Sequence, residues 1–201
     1  YGGGGANGEL LRTLSQHQFE SGGIGFRPES FQFSSPSFLL SLLTAQVLQQ
    51  AQSHGTVLDH EIDEDALAGY LSSELAEAVS NDGIGYRLAW AAELLASRGT
   101  ISRERLDELG EFSDRLGIAG MALLAEAYLE HGDRGSARRI YRDAKNLIVI
   151  GTQSIDFRET YEARGYFDSG EGELALLLRV GTLLDESDDL LIRIAGTLSG
   201  R

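Results

Sequence analysis

The sequence predicts an all-α fold, a partial α/α toroid in which inner and outer helices alternate along the chain. Three observations carry that expectation. Only two prolines interrupt 201 residues, so long stretches are free of helix breakers. Hydrophobic residues make up 42 % of the chain, enough to build a buried core. Apolar spacing also switches repeatedly between two kinds of helix, one apolar nearly all round and the next carrying a single stripe.

Taken in order, Tyr1–Gly8 has no periodicity and reads as a flexible lead-in to one helical domain over residues 9–201, a fragment of a larger multidomain chain. A short helix is expected over Glu9–Phe19, with Leu10, Leu11 and Leu14 on its apolar side. After the loop Ser21–Ser35, Pro36–Ala51 is apolar on most sides (Phe38, Leu39, Leu40, Leu42, Leu43, Val47, Leu48), whereas Asp63–Val79 has one stripe through Leu67, Tyr70, Leu71 and Leu75. Tyr86–Ala96 is again apolar and Ser102–Phe112 striped. Ile118–Leu129 and Ser136–Leu147 form the third such pair, Glu173–Leu184 and Ser187–Leu198 the fourth. Leu42, Leu43, Leu88, Leu124 and Leu177 are all expected in the central layer. Ser35 before Pro36, Ser102, Ser136 and Ser187 supply helix-start signals. Between the third and fourth pairs, Ile148–Gly172 holds β-branched and aromatic residues that suggest a short hairpin or an ordered irregular loop. Its aromatics Phe157, Tyr161, Tyr166 and Phe167 either pack back on the rim or dock a neighbouring domain.

Composition excludes several classes of function. A net charge of −14, with Lys145 as the only lysine, leaves no basic patch for nucleic acid or an anionic membrane. The mixed runs Arg103–Glu108 and Asp133–Arg134 read as solvated faces with local pairs. No apolar run approaches the ~20 residues of a membrane span, and no signal peptide opens the sequence. With no cysteine there is no disulfide, thiolate zinc site or cysteine nucleophile.

No set of residues assembles into a catalytic constellation. His17, His54, His60 and His131 are spread out and form no two-histidine helix motif, and no Gly-x-Ser-x-Gly elbow occurs. Asp185–Asp189 resembles an aspartate-rich magnesium site only faintly and fits better as an acidic helix cap. Asp59–Asp65 lacks the glycine of a calcium loop and reads as the polar start of a helix. Catalytic, cofactor-binding and metal-ligating residues are therefore assigned to none, and no cofactor is expected.

One internal repeat and one repeat-like unit stand out. Gly22-Gly23-Ile24-Gly25-Phe26-Arg27 recurs sixty residues on as Asp82-Gly83-Ile84-Gly85-Tyr86-Arg87, each copy ahead of an apolar helix, where the aromatic can plug the helix start. Ala119–Ala144 has the small/aromatic rhythm of a tetratricopeptide unit at Ala125, Tyr128, Gly132, Asp133, Ala137 and Tyr141. A helical-repeat adaptor for protein–protein contacts is thus an alternative reading.

The segment Gly22-Gly23-Ile24-Gly25-Phe26-Arg27-Pro28 resembles the Gly-Gly-Phe-Gly-aromatic-Trp-Pro segment of bacterial alpha-2-macroglobulins. Thr44-Ala45, Tyr86-x-x-Ala89-Trp90, Leu124-Ala125-x-Ala127-Tyr128-Leu129-x-x-Gly132-Asp133 and Arg164-Gly165-Tyr166-Phe167-Asp168-Ser169 follow in that family's order, so the resemblance spans roughly residues 10–185. It implies the thioester domain, an α/α toroid within a large multidomain chain of the periplasm or cell surface, often a lipoprotein. In that family a protease that cuts a bait region is captured covalently by the exposed thioester. The implied function is a non-enzymatic module contributing to endopeptidase inhibition in the full-length chain, with proteases and neighbouring domains as partners, and neither nucleic acid nor membrane contact by this segment. The departures bear on mechanism. No Cys-x-Glu-Gln thioester motif occurs, Gly3 stands where the family's Tyr-Gly-Cys has Cys, and Arg27 stands where it has Trp. The sequence also stops before the segment that would complete the toroid. Covalent trapping by these residues alone is not expected.

Overall fold

A computed structural model describes residues 12–55, 61–80, 85–151, 155–157, 170–186 and 189–200. They are mostly helical: α1 (described over 12–15), α2 (Phe38–Ser53), α3 (Glu64–Ser80), α4 (Tyr86–Ser97), α5 (Arg103–Gly110), a 3-10 turn (Ser113–Arg115), α6 (Gly117–Glu130), α7 (Arg134–Lys145), α8 (Gly170–Leu183) and α9 (Asp189–Leu198). The expected hairpin is present as β1 (Ile148–Ile150) against antiparallel β2 (Ile155–Phe157), in register Ile148↔Phe157 and Ile150↔Ile155. Tyr161, Tyr166 and Phe167, the lead-in, His60, Ser187 and the first half of the second glycine motif lie outside the described residues. The chain divides after Glu77 into two compact units.

In the first unit, α1 ends at residue 15 rather than continuing to Phe19. The chain turns there because Gln18 enters an antiparallel bridge with Ile24, and the Phe19 and Gly25 amides donate to Gly23 and His17 carbonyls. A second bridge joins Gly25 to Pro36, which keeps Pro36 out of α2. The helix therefore starts two residues later than expected, with Ser37 accepting the Leu40 amide as its cap. Ile24, Leu48, Ile62 and Leu67 form the core, with Leu14, Leu40 and Ala45 against it. Leu42 is buried as expected, but Leu43 is 41 % exposed. Adjacent helical residues point about 100° apart, so Leu43 and Val47, one turn on, share an uncovered face.

The second unit shows the two-layer alternation. Helices α4, α6 and α8 form an inner row with α6 in the middle, while α5, α7 and α9 pack outside them. Every residue of α6 from Gly117 to Tyr128 is buried, and α4 is buried from Ala91 to Ala96. The outer helix α7 buries only Ala137, Ile140, Tyr141 and Ala144, one stripe of a helix otherwise rich in arginine. Its cap is Asp133, accepting the Ser136 amide at 3.0 Å, so α7 begins earlier than the serine signal suggested. Ser102 caps α5 as expected.

Each inner helix of this unit ends the same way. After α4, α6 and α8 a residue takes a left-handed conformation (Gly99, Gly132 and Asp185), and the next amide reaches back to the helix. Thr100 donates to Leu95, Asp133 to Tyr128 and Glu186 to Gly181, at 2.9, 2.8 and 2.9 Å. These 6→1 bonds satisfy carbonyls that would otherwise be orphaned and reverse the chain into the outer helix.

Candidate functional site

The glycine motif of the first unit is a packing junction. A Cβ at Gly22, which has φ of 89°, would overlap the Ala66 carbonyl of α3. At Gly23 it would meet the Pro36 Cβ at 2.6 Å and the Tyr70 ring at 2.9 Å. Tyr70 is buried there, and burial together with Glu74 pushes its hydroxyl up to about 12. Gln18 locks the loop to the start of α3: its amide nitrogen donates to the Gly22 and Asp63 carbonyls at 3.0 and 2.8 Å, and its oxygen accepts the Asp63 amide at 2.8 Å. Asp63 in turn accepts the Ala66 amide at 2.9 Å, so this acid caps the start of α3.

Ile24 is fully buried, and both its backbone groups are satisfied by α2. Its carbonyl accepts the Ser37 amide at 2.8 Å, and its amide donates to Ser41 Oγ at 2.8 Å. Ser41→Ala should leave that amide buried without an acceptor and cost about 1–3 kcal/mol. A thermal unfolding measurement that finds no loss would contradict this role.

The two copies of the motif are not equivalent where both are described. Gly25 is boxed in by Phe19 and the Ser35 carbonyl, whereas a Cβ at Gly85 would meet nothing within 4 Å. Phe26 is 73 % exposed and plugs no helix start, while Tyr86 opens α4 and packs over Gly120 of α6.

In the second unit, arginines of the outer helices α5 and α7 reach the next inner–outer turn. Arg103 of α5 pairs with Asp107 at 2.9 Å and with Asp133 after α6, and it stacks over the Tyr128 ring at 5.3 Å. The Tyr128 hydroxyl shares its one proton between the Leu106 carbonyl and Asp107, and burial, then the hydrogen bond to Asp107 and its charge, raises its pKa. Burial pushes Asp107 up, but the bonds from Arg103 and Tyr128 outweigh it and hold the carboxyl below its ordinary value. Asp133 is lowered by the Ser136 amide, then by Arg103. The pattern recurs one hairpin on. Arg134 pairs with Asp185 at 2.9 Å, and Arg138 donates to the Leu184 carbonyl and faces Glu186 at 3.4 Å. The acids Asp185 and Glu186, weighed above as metal ligands, are thus partners of arginines.

Sequence pattern did not mark a third cluster, in the inner row itself. Glu93 of α4 and Glu126 of α6 are buried among apolar neighbours, and Arg179 of α8 reaches both. Among the described residues no group of three or more His, Asp or Glu side chains is placed to hold a metal ion. His17 Nδ1 lies 3.2 Å from the Gly25 carbonyl, and His54 and His131 cap the ends of α2 and α6. No helix among the described residues is long and apolar enough to cross a membrane. What the described residues of the second unit build is a layered scaffold with ionic ties between its helices.

No protein-family model matches the chain, and no curated protein matches it in sequence. Solved structures do. The chain is similar in fold to native alpha-2-macroglobulin from Escherichia coli, spanning domain MG7 to the C-terminus, with TM-score 0.65 at 16 % identity over 92 % of this chain and 29 % of that one. Salmonella alpha-2-macroglobulin reacted with methylamine is similar at TM-score 0.64 and 18 % identity, over 93 % of this chain and 12 % of that one. The class defined by fold is thus an α/α module like one found inside bacterial alpha-2-macroglobulins. The chain spans less than a third of the length of either.

Proposed function

We propose that this chain is the thioester-domain-like module of a bacterial alpha-2-macroglobulin-like protein, non-enzymatic in itself and serving endopeptidase inhibition within a larger chain. The observation that carries the reading is a fold likeness covering more than nine-tenths of the chain in two such proteins. The ordered family motifs point the same way. In this reading the module packs against neighbouring domains of its parent protein, the parent sits in the periplasm or at the cell surface as a lipoprotein, and proteases meet the whole assembly. The tetratricopeptide-like alternative needs near-equal hairpins of about 34 residues, against which stand helices ranging from 8 to 17 residues and a β-hairpin after α7.

The test begins with the reading frame on both sides of the segment. Flanking β-sandwich domains and an upstream lipoprotein signal are expected, and a frame of about this length with its own start and stop would sink the proposal. The whole protein, incubated with a protease, should block cleavage of a large substrate while leaving a small peptide substrate accessible. An upstream Cys-x-Glu-Gln predicts that this protection is covalent and sensitive to methylamine; without that motif it is not.

A further inference from the structure

Three ionisable side chains, one from each inner helix of the second unit, meet in the apolar row. Glu93 of α4 and Glu126 of α6 are 4 % and 3 % exposed, while the Arg179 side chain of α8 is about half exposed. Arg179 Nη2 pairs with Glu126 Oε1, and the same nitrogen stands 3.9 Å from Glu93 Oε1. Glu126 Oε2 is enclosed and has no hydrogen-bond partner. A buried carboxylate with one satisfied oxygen is an expensive arrangement, because the second oxygen gave up water for nothing.

We infer that this cluster is a proton-driven exchange of partners, in which Glu126 takes up a proton on its free oxygen and Arg179 passes from Glu126 to Glu93. The proton comes from solvent, the Glu126 charge disappears, and the guanidinium keeps the Glu93 carboxyl within reach of a small side-chain rotation. Its half-exposed position gives it room to move.

The surrounding charges favour the exchange. Burial, together with Glu130 one turn on along α6, raises the proton affinity of Glu126 more than Arg179 lowers it. The charged groups of α5 and α7 that reach α6 (Arg103, Asp107 and Arg139) gather around Tyr128 instead. A carboxyl that holds its proton more tightly in the fold than in the unfolded chain favours the fold fully in acid. That contribution is lost as pH rises through the folded-state pKa. The inner row should therefore tighten on acidification at this site, with α8 tied to α4 instead of α6.

The test is an NMR titration of the protein with labelled glutamate and arginine, supported by two variants. The Glu126 carboxyl carbon should titrate above the ordinary glutamate range, and the Arg179 Nε–H signal should shift in the same step. In Glu126→Gln that step should vanish, and Tm at pH 7.5 should exceed wild type by roughly 2–4 °C, with the two converging in acid. In Glu93→Gln, Arg179 should instead become mobile in acid. A Glu126 that titrates in or below the ordinary range overturns the inference, as does an Arg179 signal that ignores the step. A lower Tm for Glu126→Gln at pH 7.5 does so too. If either variant fails to fold, the wild-type titration alone decides.

Discussion

Gly22→Ala should unfold the first unit, and Gly85→Ala should leave the protein almost untouched. Gly22 is the first residue of one copy of the motif and Gly85 the fourth of the other, so the contrast sets a packed glycine against an open one. Gly22 sits at φ of 89°, where an L side chain costs roughly 1–2 kcal/mol before any contact is made. The added methyl would also overlap the Ala66 carbonyl, which is backbone within α3 and has no side chain to swing aside. Relief requires the loop to lift away from α3. That movement would break both bonds of Gln18 to Asp63 and pull Ile24 from its core position. The combined loss should exceed about 4 kcal/mol, the range reserved for a few severe mechanisms. Gly85 has extended backbone at φ of −167° and open space around its Cβ, so alanine there should shift stability by less than about 1 kcal/mol. Thermal unfolding combined with hydrogen exchange over α2 and the start of α3 would read both. Retained protection in Gly22→Ala would show that the motif is not the junction described.

The sequence already carried part of this contrast. Where the first copy has Gly22 the second has Asp82, so the motif itself does not demand glycine at that place. The alternation of helices was legible for a similar reason: an inner helix must be apolar on every side, and α6 is buried from Gly117 to Tyr128. What pattern cannot supply is which side of an apolar helix is covered, hence the exposed Leu43 beside the buried Leu42. The turns after α4 and α6 carry glycine at the left-handed residue, Gly99 and Gly132, a residue type suited to it. Asp185 gives no such signal, and its left-handed backbone is accompanied by a contact with Arg134 fifty-one residues away in sequence. The inner-row cluster was hidden in the same way. Glu126 and Arg179 are fifty-three residues apart, and a single acid in an apolar run has no local feature that distinguishes a buried ion pair from a side chain that snorkels to water.

Leu124→Ala should be the most damaging single truncation in the second unit, and Ile192→Ala should be nearly silent. Leu124 is fully buried at the centre of α6, the helix that packs on both α4 and α8 of the inner row and on α7 outside it. A cavity opened there cannot close by the shift of one neighbour, since helices on several sides are already held by Tyr128, Arg179 and the turn after α6. The expected cost is about 2–5 kcal/mol, the range for buried leucines whose surroundings relax only partly, and Tm should fall by roughly 10 °C. Ile192 is as large and as apolar but lies 71 % exposed on α9, so its truncation removes little buried area and should cost less than about 0.5 kcal/mol. Hydrogen exchange should place the Leu124→Ala loss in α4, α6 and α8 together, because a void in a shared layer weakens every helix that lines it. Equal effects from the two truncations would mean that α6 is not the centre of an inner row, and the layered architecture of this unit would fall with it.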